Sequence, residues 1–186
     1  MLSEVGEVIS WADGSLNSEL KVIESLSREA RSQGKIHKII LMVDVGDLRE
    51  GVMPEDTLGI VDKILQLPCI EFEGIGTNLG CYGGVLASFE NTKVLVELAK
   101  SIEDKFKIKI HTLSGGNSSA LSMLIRGQLA SGINQFRIGD GILLGKDPSN
   151  LEPLPGTFVD AFELKTQVIG VRTLMSINMT EKSYIS

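Results

Sequence analysis

The chain has 186 residues, 42% hydrophobic and 23% charged, enough apolar material for one domain with a real core and ordinary for a globular protein. A net charge of −6 and a pI near 5.0 leave no basic face to neutralise phosphates along a duplex, so no nucleic-acid partner is expected. The best apolar run, Ile39 to Val45, falls far short of the roughly 20 residues a spanning helix needs, and no membrane role is expected either.

Cys69 and Cys81 show no CxxC spacing and no accompanying histidine, which argues against a disulfide framework or a zinc site and points to a reducing cytoplasm. The N-terminus, Met-Leu-Ser-Glu-Val-Gly-Glu, lacks the positive patch and apolar stretch of a signal peptide.

In chain order, short apolar runs alternate with longer stretches whose apolar residues recur every three or four positions, a βα rhythm. A weak strand around Ala12 to Leu16 precedes a helix that buries Leu20, Ile23, Leu26 and Ala30, with Asn17 or Ser18 as cap and Gly34 as stop. Ile39 to Val43 forms the second strand. Pro54 then suits the first turn of a helix whose stripe is Leu58, Val61 and Ile64 or Leu65. Ile70 to Ile75 is the third strand, followed by a helix burying Val94, Leu95, Leu98, Ile102 and Phe106 behind an Asn91 cap. Ile108 to Leu113 is the fourth strand, a short helix with Ala120, Leu121 and Leu124 follows Ser118, and Phe136 to Ile138 is the fifth strand. A spacing of about 30 residues per strand matches a (β/α)8 barrel, of which five units fit. The fold class expected is therefore α/β, a partial TIM-type barrel over residues 1–146. Residues 147–186 are expected to be a proline-rich linker and the start of a separate β domain, with a period-2 strand near Ala161 to Ile169.

Ligands of parallel βα folds gather at the carboxyl ends of the strands, and those ends are polar and glycine-rich here. Ser114-Gly115-Gly116-Asn117-Ser118-Ser119 allows backbone amides to approach an anion at a helix start, although Asn117 and the serines can equally well just cap that helix. Gly139 and Gly141, one strand on, strengthen the phosphate reading because neighbouring barrel strands commonly share one phosphate. Gly74-Ile75-Gly76 is not a dinucleotide fingerprint, since Leu79 replaces the third glycine. Arg137 lies within a strand and must face a ligand or pair with a carboxylate such as Asp44. Asp44 and Asp47 are read as structural caps, His37 and His111 belong to no triad or metal cluster, and Cys81 beside Tyr82 is read as a packed small residue before a nucleophile.

Taken in order, five segments resemble the alanine racemase-like fold of pyridoxal phosphate (PLP) enzymes, and within it the ornithine racemase branch. They are Ser15 to Glu19, His37 to Gly51, Gly74 to Gly84, Ser114 to Ser119 and Arg137 to Gly145. The resemblance implies that pyridoxal 5′-phosphate is the cofactor and a small-molecule amino acid the substrate, racemised by proton abstraction at Cα. It matches Asn117 and Ser118 to the phosphate-contacting pair, the backbone of Gly139 and Asp140 to a second phosphate contact, and Arg137 to the arginine facing the pyridine nitrogen. An arginine there cannot protonate the ring as a carboxylic acid would, which weakens the electron sink and limits side reactions. Arg49 and Asn78 match positions lining the cofactor face, Asn78 where alanine racemases have histidine, and Met42 stands where they often carry a modified lysine.

The resemblance also implies that the family's Schiff-base lysine belongs to a segment that would precede Met1, so no catalytic residue is assigned here. Barrel strands one to three and most of the C-terminal β domain are expected to be missing, and no family pattern is visible from about Val171 to Ser186. The expectation is an inactive fragment of a racemase. The alternative is a non-catalytic PLP-binding remnant or partner that forms a homodimer or completes its barrel with another chain, as open strand edges invite.

Overall fold

The computed structural model describes residues 2–80, 84–163 and 165–171. Its centre is a parallel five-stranded sheet in simple sequential order, β1 (Gly14–Asn17), β2 (His37–Met42), β3 (Ile70–Gly76), β4 (Thr112–Asn117) and β5 (Gln135–Arg137). Neighbours in sequence are thus neighbours in space, the arrangement of consecutive units in a (β/α)8 barrel. The register aligns Ser15 with Ile39, Leu41 with Ile75, Gly76 with Ser114 and Asn117 with Arg137, so the polar strand ends finish together.

Helices α1 (Val5–Trp11), α2 (Leu20–Ser32), α3 (Pro54–Leu65) and α4 (Phe89–Phe106) cover one face. Period 2 in the strands and period 3.6 in the helices meet there. Ile39, Leu41, Val43, Ile75 and Leu113 from the sheet pack with Ile23, Leu26, Val61, Ile64, Leu95 and Ile102 from the helices in one buried cluster. Gly34, at φ +65, ends α2 as expected, and Pro54 opens α3.

Several local expectations shift. The cap of α2 is Glu19, without a side-chain bond, because Asn17 belongs to β1 and turns its amide back onto Ser15. Ser88 caps α4, and Asn91 is the third residue of a reciprocal capping box. β4 starts at Thr112, four residues later than the apolar run. Ile108 and Ile110 pack against the core instead, and the Ile110 amide donates to the Glu103 carboxylate rather than to a strand. The segment after Ser118 is a 3-10 turn leading into α5 (Leu121–Ile125), with Leu124 43% exposed rather than buried. α1 has no counterpart in the sequence reading. Among the described residues of 161–171 no ladder forms and Ile169 is almost fully exposed, as a strand needs a partner to bond and none stands beside it. Cys81 and Tyr82 lie outside the described residues.

Candidate cofactor site

Four strand ends deliver the site. A cavity of about 310 Å³, near the lower end of the roughly 300–1,000 Å³ usual for small-molecule sites, is lined by Arg49, Asn78, Gly80, Asn117, Ser118, Arg137, Gly139, Asp140 and Pro148. All seven residues singled out in the sequence line it: Arg49, Asn78, Asn117, Ser118, Arg137, Gly139 and Asp140.

Its floor is a hydrogen-bonded lattice. Ser118 is buried, and its Oγ accepts from the backbone amides of both Gly139 and Gly141 at 3.1 Å, which ties the β4 end to the start of α6 (Asp140–Leu143). Both oxygen lone pairs are used, so the hydroxyl proton remains to be donated. Asn117 accepts from the Ser119 amide at 2.9 Å, while its own amide donates to Asn78 Oδ1 at 2.8 Å and to the Leu79 carbonyl at 2.9 Å. Gly80 allows the β3 loop to come this close: at φ +64, an added Cβ would sit 2.6 Å from Ser119 Oγ.

Arg137 is held by three partners, donating to Ser114 Oγ at 2.7 Å, the Thr77 carbonyl at 2.9 Å and Asn78 Oδ1 at 3.3 Å. Burial pulls its pKa below the usual arginine value, the charge of Glu50 opposes this and that of Arg49 adds to it, and the guanidinium stays protonated throughout. The carboxylate whose field reaches Arg137 is therefore Glu50 rather than Asp44, whose Oδ1 instead accepts from the Gly46 and Leu48 amides as a loop cap. Glu50 accepts from Asn78 Nδ2 at 3.1 Å. Sequence reasoning missed the roles of Ser114, Thr77 and Glu50, because these contacts join residues 23 to 60 positions apart.

The donor set fits a phosphorylated aromatic cofactor. The hydroxyl proton of Ser118, held in place by the Gly139 and Gly141 amides at the start of α6, forms one end, and a fixed guanidinium on the same cavity forms the other. No cluster of three histidine, cysteine or acidic side chains suited to a metal occurs among the described residues. No helix among them is long and apolar enough to cross a membrane.

Comparisons with known proteins identify the fold and the family. The chain is 38% identical over 182 residues to an ornithine racemase of Acetoanaerobium sticklandii, covering 97% of this chain and 52% of that protein. It is 35% identical to a lysine racemase of Thermotoga maritima, covering 98% and 51%. The chain thus spans about half the length of the curated relatives it matches. Among solved structures, alanine racemase of Clostridium difficile in complex with cycloserine superposes with a TM-score of 0.62 at 23% identity, covering 81% of this chain and 40% of that one. PipY of Synechococcus elongatus with PLP bound gives 0.61 at 19%, covering 75% and 64%. At such identities the two structures speak for the fold alone. The family model for the alanine racemase N-terminal domain matches residues 5–147, all five strands and the whole lined cavity except Pro148. By that match the chain belongs to the alanine racemase N-terminal domain family, whose cofactor is pyridoxal 5′-phosphate.

Proposed function

We propose that this chain carries the cofactor-holding part of an amino-acid racemase. Asn117, Ser118 and the backbone of Gly139 and Asp140 hold the phosphate of pyridoxal 5′-phosphate, Arg137 faces the pyridine nitrogen, and Asn78 and Arg49 line the cofactor's face. The observation that carries this reading is the single hydroxyl of Ser118 joining two glycine amides beside a guanidinium that is already fixed from three sides. When bound, the cofactor supplies an electron sink that acidifies Cα of an attached amino acid. The chain's own contribution is to bind, orient and keep Arg137 charged, so that the ring nitrogen meets a donor that does not release its proton. The names of the two curated relatives favour an amino acid with a basic side chain as substrate.

Residues 1–146 form the cofactor-binding body, and residues 147–186 are a linker and the start of a separate β domain, in keeping with a family match that ends at residue 147. No lysine lines the cavity among the described residues. With no lysine there to anchor the cofactor, residues 1–186 alone should bind it without racemising, and the protein should work in the cytoplasm. The second reading, a non-catalytic PLP-binding partner that completes its barrel with another chain or a second copy, is favoured by one observation: β1 and β5 are edges of the sheet, and Leu16 on β1 is 43% exposed.

Titration calorimetry tests the cofactor reading. Pyridoxal 5′-phosphate should bind at least about tenfold more tightly than pyridoxal, as charge-assisted bonds to a phosphate require, and Ser118→Ala should erase most of that gap. Equal affinities for the two compounds would remove the phosphate assignment. Racemisation of L-ornithine by residues 1–186 alone, or a borohydride-fixed cofactor on one defined lysine, would refute the proposed inactivity.

A further inference from the structure

Asn78 Oδ1 accepts from both Asn117 and Arg137, so only the amide nitrogen of Asn78 is left to point elsewhere, and it donates to Glu50 Oε1 at 3.1 Å. The lattice that fixes the arginine and the phosphate loop thus also fixes one carboxylate beside the cavity. Glu50 is itself exposed, and no lysine or arginine stands within ion-pair distance of it among the described residues. A carboxylate has about four acceptor positions, and one neutral amide leaves room for a charged donor. Of the rest of the lining, Arg137 keeps N–H groups beyond its three bonds and Ser118 keeps its hydroxyl proton, donors that suit the anionic groups of a phosphorylated cofactor and an α-carboxylate. A second ammonium, at the end of a substrate side chain, finds no acceptor among those groups. Asp140 also lines the cavity and carries a carboxylate, so the test below separates it from Glu50.

The geometry points to Glu50 as the residue that reads the substrate side chain, its carboxylate accepting the distal ammonium of a diamino acid. This rests on the cofactor reading above and adds to it the group that selects a basic side chain over an apolar one of the same length. A longer apolar side chain gains nothing from a carboxylate and must leave it hydrated, so discrimination comes from an attraction to one class and a desolvation cost to the other.

The test uses stable reduced adducts, N-(5′-phosphopyridoxyl)-L-ornithine and N-(5′-phosphopyridoxyl)-L-norvaline, bound to the 186-residue chain and followed by calorimetry. The ornithine adduct should bind about five- to tenfold more tightly, the range for a charge-assisted bond that solvent partly screens. The ratio should fall to about one in Glu50→Gln, stay above one in Glu50→Asp, and shrink with added salt. Asp140→Asn should leave the ratio in place. Equal affinities in the unaltered chain, a preference that survives Glu50→Gln, one that vanishes in Asp140→Asn, or a Glu50→Gln chain that loses both adducts alike would each overturn the assignment while leaving the cofactor reading standing. Failure of both adducts to bind the unaltered chain would sink the cofactor reading and this inference with it.

Discussion

On the helix-facing side of the sheet Ile39, Leu41, Val43, Ile75 and Leu113 are sealed beneath α2, α3 and α4. On the opposite side Lys38, Ile40, Glu73, Thr112 and Gln135 line a cavity of about 280 Å³, and Leu16 remains 43% exposed. The first face is complete in itself: its apolar side chains meet partners supplied by the same chain. The second is polar where it is bonded, through Lys38 to Glu73 at 3.0 Å and Thr112 to Glu73 at 3.2 Å, and open where it is apolar. Gln135 Oε1 is buried there without a hydrogen-bond partner among the described residues. A barrel's helix layer can thus be self-sufficient while its interior is not, and the cofactor end belongs to neither face, since it is built where the strands stop.

Four substitutions sharpen that contrast. Leu41→Ala on the sealed face should cost about 2–5 kcal/mol of stability by urea denaturation, whereas Ile40→Ala on the open face should cost less than about 1.5 kcal/mol, since it leaves little cavity. Comparable losses at both positions would mean that the inner face is closed in solution. At the strand ends, Ser118→Ala should cost about 1–3 kcal/mol, because the Gly139 and Gly141 amides lose their shared acceptor. A smaller loss would show that solvent replaces that hydroxyl easily. On the open face, Glu73→Gln should give the smallest change, since Lys38 is a solvent-screened partner.

Acid should act through two groups with the same sign. Burial, opposed by the Ala12 carbonyl and the charge of Asp13, lowers the pKa of His37, whose Nε2 lies 2.8 Å from Ser15 Oγ. A depressed folded value means that stability present above the unfolded pKa of about 6.5 is lost as pH falls toward and through the folded one. The Lys38 hydrogen bond, opposed by burial, lowers that of Glu73, so its contribution is present above the usual carboxylate range and fades as pH falls through the lowered value. Lys38 itself is raised, chiefly by the Glu73 hydrogen bond, so its share is present below the unfolded lysine value and fades as pH rises through the folded one. Urea midpoints of the unaltered chain and His37→Gln between pH 7.5 and 5.5 should differ in slope. Identical slopes would place His37 in a solvated setting.

β2, β3 and α2 to α4 could be read from sequence because each has an unbroken period and matching end signals, such as Pro54 before α3 and Gly34 after α2. β4 was legible only in part. Ile108 and Ile110 alternate like a strand yet serve the core from a connecting segment, and period alone cannot separate the two uses. α1 is too short, at seven residues with one buried side chain, to leave a periodic trace. At the site, the residue types at the strand ends were visible because glycine, serine and asparagine recur at each terminus. Which side chain holds which was not: Arg137 to Thr77 and Asn117 to Asn78 join separate βα units, and only their parallel register brings them together.

Hydrogen–deuterium exchange of the chain with and without pyridoxal 5′-phosphate addresses the central claim most directly. Protection should concentrate in two stretches distant in sequence, 117–121 and 137–142, with pyridoxal itself protecting both far less. Protection spread over the helix-facing core, or absent from both strand ends while the compound binds elsewhere, would contradict the account.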